Sequence, residues 1–185
     1  MTTADDVLSF WFEDDPRRWR KVWFVREDAF DAACTEFADA SRAARDGAFD
    51  HWAETPRSML ALIILLDQFS RNLHRGSGES YAADAQARAL ARRAVAQGFD
   101  RQLGWVERIF VYLPFEHSEN LADQDEGVRL FETLRIALGD SGPESAYRHR
   151  GVIRRFGRFP HRNGMMGRDS TDAERAFMAA YGRGF

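Results

Sequence analysis

The chain has a single cysteine, Cys34, which excludes an intramolecular disulfide and any paired-cysteine metal site. Such usage fits a reducing compartment and predicts a cytoplasmic protein. Cys34 stands among Ala32, Ala33 and Phe37 at helical spacing, the setting of a small buried hydrophobe rather than a nucleophile. Long apolar runs are also missing. The longest, Met59 to Leu66, has eight residues, far short of the roughly 20 that span a bilayer. The acidic N-terminus, with Asp5 and Asp6, has no basic region leading into an apolar stretch, so no signal peptide is expected. Lysine is almost absent, with Lys21 against 25 arginines. A GC-rich genome accounts for most of that bias, but not for how the arginines cluster. No run alternates in the strand period, and no tetratricopeptide repeat signature recurs.

What is present is helical periodicity and aromatic bulk. At 185 residues the chain is expected to form one domain, 1–185, burying roughly 70% of its unfolded surface. Phe30, Cys34, Phe37 and Ala38 recur at steps of three and four between Arg26 and Arg45. Thr55-Pro56 reads as N-cap and first turn of a helix that is apolar on all sides from Met59 to Leu66, hence central. Ser80 to Gln97 is a strong helix stopped by Gly98, and Pro114 is expected to interrupt the helix begun at Trp105. Leu121 to Leu138 and Glu144 to Phe156 continue the pattern. Ser170 or Thr171, followed by Glu174, forms a capping box for a last helix. The expected class is all-α, with about eight or nine helices in antiparallel succession around the apolar helix 59–69.

Three polar segments interrupt this apolar pattern. Asp67, Gln68, Arg71 and Asn72 end the central helix, and Asp67 and Arg71 share a face at i,i+4. A buried charge there must be paired, so an internal Asp67–Arg71 ion pair competes with a ligand contact. The second segment is Glu116-His117-Ser118-Glu119-Asn120. His117 suits acid–base chemistry near neutrality, but the spacing matches no strong metal signature and implies no cofactor. Its bland alternative is Ser118 capping the next helix, with Glu119 in the first turn. The third runs from Tyr147 to Arg168, with seven arginines, two histidines and no acidic residue. The whole chain carries −3, so everything outside this segment carries −10. Forked guanidinium groups suit carboxylate or phosphate, supplied by internal glutamates or by an anionic ligand. A nucleic-acid partner ranks last, because the acidic remainder and a pI near 6.0 oppose a polyanion.

Four stretches carry a family resemblance: Val7-Leu8-Ser9-Phe10-Trp11-Phe12, Asp67 to Asn72, Pro114 to Glu119, and Arg155 to Asn163, continued by Gly167 to Thr171. In this order they resemble the bacterial DUF924 family, a domain of unknown function. The resemblance implies a tetratricopeptide-like, superhelical all-α fold and assigns no catalytic residue.

The expected function is a polar pocket for a small anionic molecule where the three segments converge. Asp67, Arg71 and Asn72 would form one wall and Glu116, His117 and Glu119 a second. Arg158, His161, Arg162, Asn163 and Arg168 would close it. His117 or His161, oriented by Asp67 or Glu116, is the candidate for proton transfer, with Glu116 as its acid partner. Arg158 and Arg162 are the arginines expected to be free of internal partners. The competing expectation is a non-catalytic helical adaptor for a peptide or protein, its groove lined by Trp11, Trp19, Trp23, Trp52 and Trp105.

Overall fold

In the computed structural model, residues 2–139 and 141–182 are described, and among them there is no β-strand. They fall into two compact units. The first runs to Arg75 and resumes at Glu79–Pro114; the second holds Gly76–Gly78 and everything from Phe115 onward.

The first unit is built on aromatic and branched apolar side chains. Helix α1 (Ala4–Phe12) starts at a Thr3–Asp6 capping box and buries Val7, Leu8, Trp11 and Phe12. The amphipathic stretch expected as one helix is divided into α2 (Asp28–Ala33), a 3₁₀ turn (Cys34–Phe37) and α3 (Ala38–Arg45). The tighter turn still buries Cys34 and Phe37, so the apolar face is kept while the helix is re-aimed. Burial pushes the Cys34 thiol up to about 12, which makes it inert as a thiolate.

Helix α4 (Pro56–Ile64) opens on the Thr55 cap and buries Met59 to Ile64 on every face. It passes into a π-helical turn, Leu65–Phe69, and then α5 (Ser70–Leu73). The wider π turn is where the sequence changes from apolar to polar, and all five of its residues are buried. The Ser41 hydroxyl donates to the Leu65 carbonyl inside it. Helix α6 (Asp84–Ala96) presents buried Ala87, Ala91 and Ala94, small enough for close approach to α4. Rings of Phe10, Trp11, Phe30, Phe37, Phe69 and Phe110 complete this core.

Helix α7 (Trp105–Glu116) runs through Pro114 rather than stopping at it. Proline costs the helix the hydrogen bond to the residue-110 carbonyl, but only two residues follow before α7 closes.

In the second unit, α8 (Leu121–Glu132) starts on the Asn120 cap and packs along α10 (Ser141–Phe156); α9 (Arg135–Leu138) is one turn. Gly127 lets α8 pass close to Phe115, since a Cβ there would sit a tight 3.3 Å from the Phe115 Cβ. Val152, Ile153 and Phe159 form an apolar nucleus with Phe156 and Phe177 against it. The segment after α10 makes two 3₁₀ turns, Pro160–Arg162 and Gly164–Met166. In the second, the Met165 carbonyl lies 2.8 Å from where a Cβ on Gly78 would stand. Helix α11 (Asp172–Tyr181) begins at the expected Thr171–Glu174 capping box. Thr171→Ala is expected to lower stability by about 1 kcal/mol, the usual worth of such a cap, measured by urea unfolding.

Candidate functional site

The polar end of the central helix is a closed network within the first unit. Asp67 is fully buried, and its Oδ1 meets the Arg71 guanidinium at 3.0 Å. Arg71 also reaches Asp84 at 2.9 Å and donates to the Asp67 carbonyl oxygen at 2.8 Å. Gln68 donates to the other Asp67 oxygen. Asn72 and Arg75 both donate to Asp31, at 2.8 and 2.6 Å. The i,i+4 spacing therefore produces the ion pair expected of it. Asp84 and Asp31 were not visible as partners, because they come from α6 and α2.

The second and third polar segments come together in the other unit. Glu116, on the last residue of α7, is 3% exposed. Its Oε1 accepts from the Ser145 hydroxyl at 2.8 Å and from His149 Nδ1 at 2.9 Å. Its Oε2 is buried with no hydrogen-bond partner among the described residues. Burial alone would push the Glu116 carboxyl up; the charge of His149, with hydrogen bonds from His149 and Ser145, outweighs it and holds the group below the ordinary range. Burial likewise works to depress His149, but Glu116 and the Ser145 carbonyl raise it overall. The histidine that Glu116 holds by a hydrogen bond is His149, while His117 acts on the same carboxylate through its charge. Sequence reasoning passed over His149 as part of the basic run. Its one signal is the Ser145–His149 spacing of four on an amphipathic helix.

Glu119 receives a fork from Arg168, at 2.6 and 2.9 Å, and the Phe159 backbone N–H at 2.8 Å. Burial of Glu119 is outweighed by Arg168 and by that N–H, so its carboxyl too is lowered. The Phe159 ring is fully buried and is the hub of the cluster. His149 stands edge-on to it at 5.6 Å, His161 lies 5.6 Å away, and the Arg162 guanidinium lies 4.7 Å over it. Arg162 Nη2 donates to the His117 carbonyl at 2.9 Å, bringing the His117 residue to the same place.

The expectation that Arg158 and Arg162 are free is overturned. Arg158 forks onto Glu174 at 2.7 and 2.9 Å and donates to the Asp169 carbonyl. That fork, the first cause, holds the Glu174 carboxyl down at about 2. Arg162 is 5% exposed and engaged as described. The sequence hid this because Glu174 lies beyond the segment, as the third residue of α11, and doubles as its capping-box acid. Asn163 Nδ2 donates to Ser170 and to Glu174, at 3.0 and 3.3 Å, so Asn163 closes the same corner. Arg148 and Arg150 pair with Glu144 and Asp125. No carboxylate among the described residues pairs with Arg154 or Arg155.

Of the five tryptophans, Trp11, Trp23 and Trp52 are core. Trp19 is exposed and stacks on exposed Phe24 at 4.8 Å. No described helix is long and apolar enough to cross a membrane.

These features define an all-helical protein with a buried carboxylate–histidine–arginine cluster in its second unit. The chain belongs to the DUF924 family: the model for "Bacterial protein of unknown function (DUF924)" matches residues 7–182. Its structure is similar to that of a protein of unknown function, ATU0120, from Agrobacterium tumefaciens. The two are 39% identical, the match covers 96% of this chain and 97% of that one, and the TM-score is 0.85. No curated protein matches the chain.

Proposed function

We propose that the second unit binds a small anionic molecule at the cluster around Phe159, with Arg162 and Arg168 for the anion and the Glu116–His149 pair for proton transfer. One observation carries this reading: three titratable or cationic side chains, His149, His161 and Arg162, converge on one buried ring beside a carboxylate that is already committed to orienting one of them. A carboxylate that fixes one imidazole nitrogen leaves the other in a defined direction, as general acid–base catalysis requires. His117, Glu119 and Asn163 belong to the wall of this site. Asp67, Arg71 and Asn72 serve the first unit's internal network.

The reading is tested by thermal unfolding of the full chain with di- and tricarboxylates. A ligand at about a hundredfold its Kd adds roughly 2.7 kcal/mol, or about 5 °C or more for a chain of this size. That rise is expected in the wild type and in Arg155→Ala, and is expected to vanish in His149→Gln and Arg168→Ala. No rise with any anion, or an equal rise in all four proteins, contradicts it.

The exposed Trp19–Phe24 stack supports a second reading, a tetratricopeptide-like adaptor that docks a peptide on the first unit. Under that reading Trp19→Ala abolishes partner binding and no anion stabilises the chain.

A further inference from the structure

The end of α10 and the start of α11 enclose an open depression of about 480 Å³, lined by Arg155, Phe156, Arg158, Thr171, Ala173 and Glu174. That lies within the roughly 300–1,000 Å³ of small-ligand sites. It is separate from the Phe159 cluster in its use of side chains, because Arg158 and Glu174 are spent on each other here. Arg155 is exposed, and its guanidinium lies 4.8 Å over the Phe156 ring and 5.7 Å from that of Phe177. Phe177 is braced in turn by Tyr181 at 5.0 Å. Stacking fixes the plane of the guanidinium and leaves its N–H edges for an oxyanion, with less rotamer freedom to lose on binding.

Arg158–Glu174 and Arg175–Asp172 are neutral pairs, and Glu119 and Asp169 also act on Arg158. Arg155 lines the depression and pairs with no described carboxylate. A phosphomonoester offers the Arg155 fork three strong acceptor oxygens where a single carboxylate offers two. A nucleic acid fits poorly, since the chain outside the basic segment carries −10 and the pI is near 6.0.

We infer that this depression is a second oxyanion site, in which Arg155 grips the phosphate of a small phosphomonoester in fork fashion and Phe156 and Ala173 border its organic part. The site does not depend on the reading of the Phe159 cluster. Arg155 is on the surface, so its substitution leaves the fold intact.

The test is titration of the full chain with phenyl phosphate and with inorganic phosphate at constant ionic strength. It is followed by calorimetry and by the ¹⁵N signals of the arginine side chains. Phenyl phosphate is expected to shift the Arg155 Nε–H signal, to bind more tightly than inorganic phosphate, and to lose about tenfold in affinity in Arg155→Gln. His149→Gln is expected to leave that affinity unchanged. Wild-type affinity in Arg155→Gln, an unmoved Arg155 signal, or loss of affinity in His149→Gln instead would overturn the inference.

Discussion

Asp67→Ala is expected to cost about 3 kcal/mol of stability, the lower end of what breaking a buried ion pair costs. Asp67 is completely buried, and both its oxygens are engaged, one by Arg71 and one by Gln68. Removing it strands the Gln68 amide. It does not strand Arg71, which keeps Asp84 and the residue-67 carbonyl. That retained support is why the cost falls short of the upper end. Urea unfolding followed by tryptophan fluorescence reports it, because the first unit holds all five tryptophans. A loss below about 1 kcal/mol would mean that the network is a solvated face. In the double variant Asp67→Ala with Asp84→Ala, the loss should exceed the sum of the single losses, since only then does the guanidinium lose both of these carboxylates.

Glu116→Gln is expected to lower stability by about 2 kcal/mol at pH 6 and to remove most of the pH dependence of the second unit. His149 has a raised pKa, so its contribution is fully present below its ordinary 6.5 and is lost as pH climbs through the raised value. Glu116 has a lowered pKa, so its contribution is present above its ordinary 4.5 and is lost as pH falls through the depressed value. The pair therefore stabilises most between about 4.5 and 6.5 and weakens above that window. The cost of the substitution stays moderate because His149 can discharge once its partner is gone. Unfolding measured from pH 5 to pH 9 should show wild-type stability falling across the upper half of that range. Glu116→Gln and His149→Gln should both give flatter profiles. A wild-type profile no steeper than theirs would show that the pair is not formed.

Helices whose ends are chemically marked were legible from sequence: Thr55-Pro56, Thr171 with Glu174, and Gly98 all act where their chemistry places them. The departures lie where packing overrides pattern. The 3₁₀ turn at Cys34–Phe37 keeps the apolar period of three to four, so periodicity alone does not distinguish it from an α turn. The π turn at Leu65–Phe69 likewise leaves no mark except the abrupt entry of Asp67. Within the site, the residue types were legible and the partnerships were not. Arg168 with Glu119 joins residues 49 apart, and Ser145 with Glu116 joins residues 29 apart. Local spacing carries no record of such pairs. Arg158 shows the limit most clearly: its segment contains no acid, and its partner comes from the next helix. The basic run is thus mostly an internal charge balance, and Arg154 and Arg155, which no described carboxylate pairs with, precede Gly157 rather than flank Pro160.

The most direct test of the Phe159 cluster as a ligand site is ¹⁵N spectroscopy of the histidine rings during titration of the full chain with whichever anion gives the largest thermal stabilisation. The five histidines divide cleanly, with His51 and His74 in the first unit and His117, His149 and His161 in the second. An anion held beside Arg162 should move the His149 and His161 signals, raise the His149 pKa further, and leave His51 and His74 unchanged. A stabilising anion that moves none of the three second-unit histidines would contradict the account.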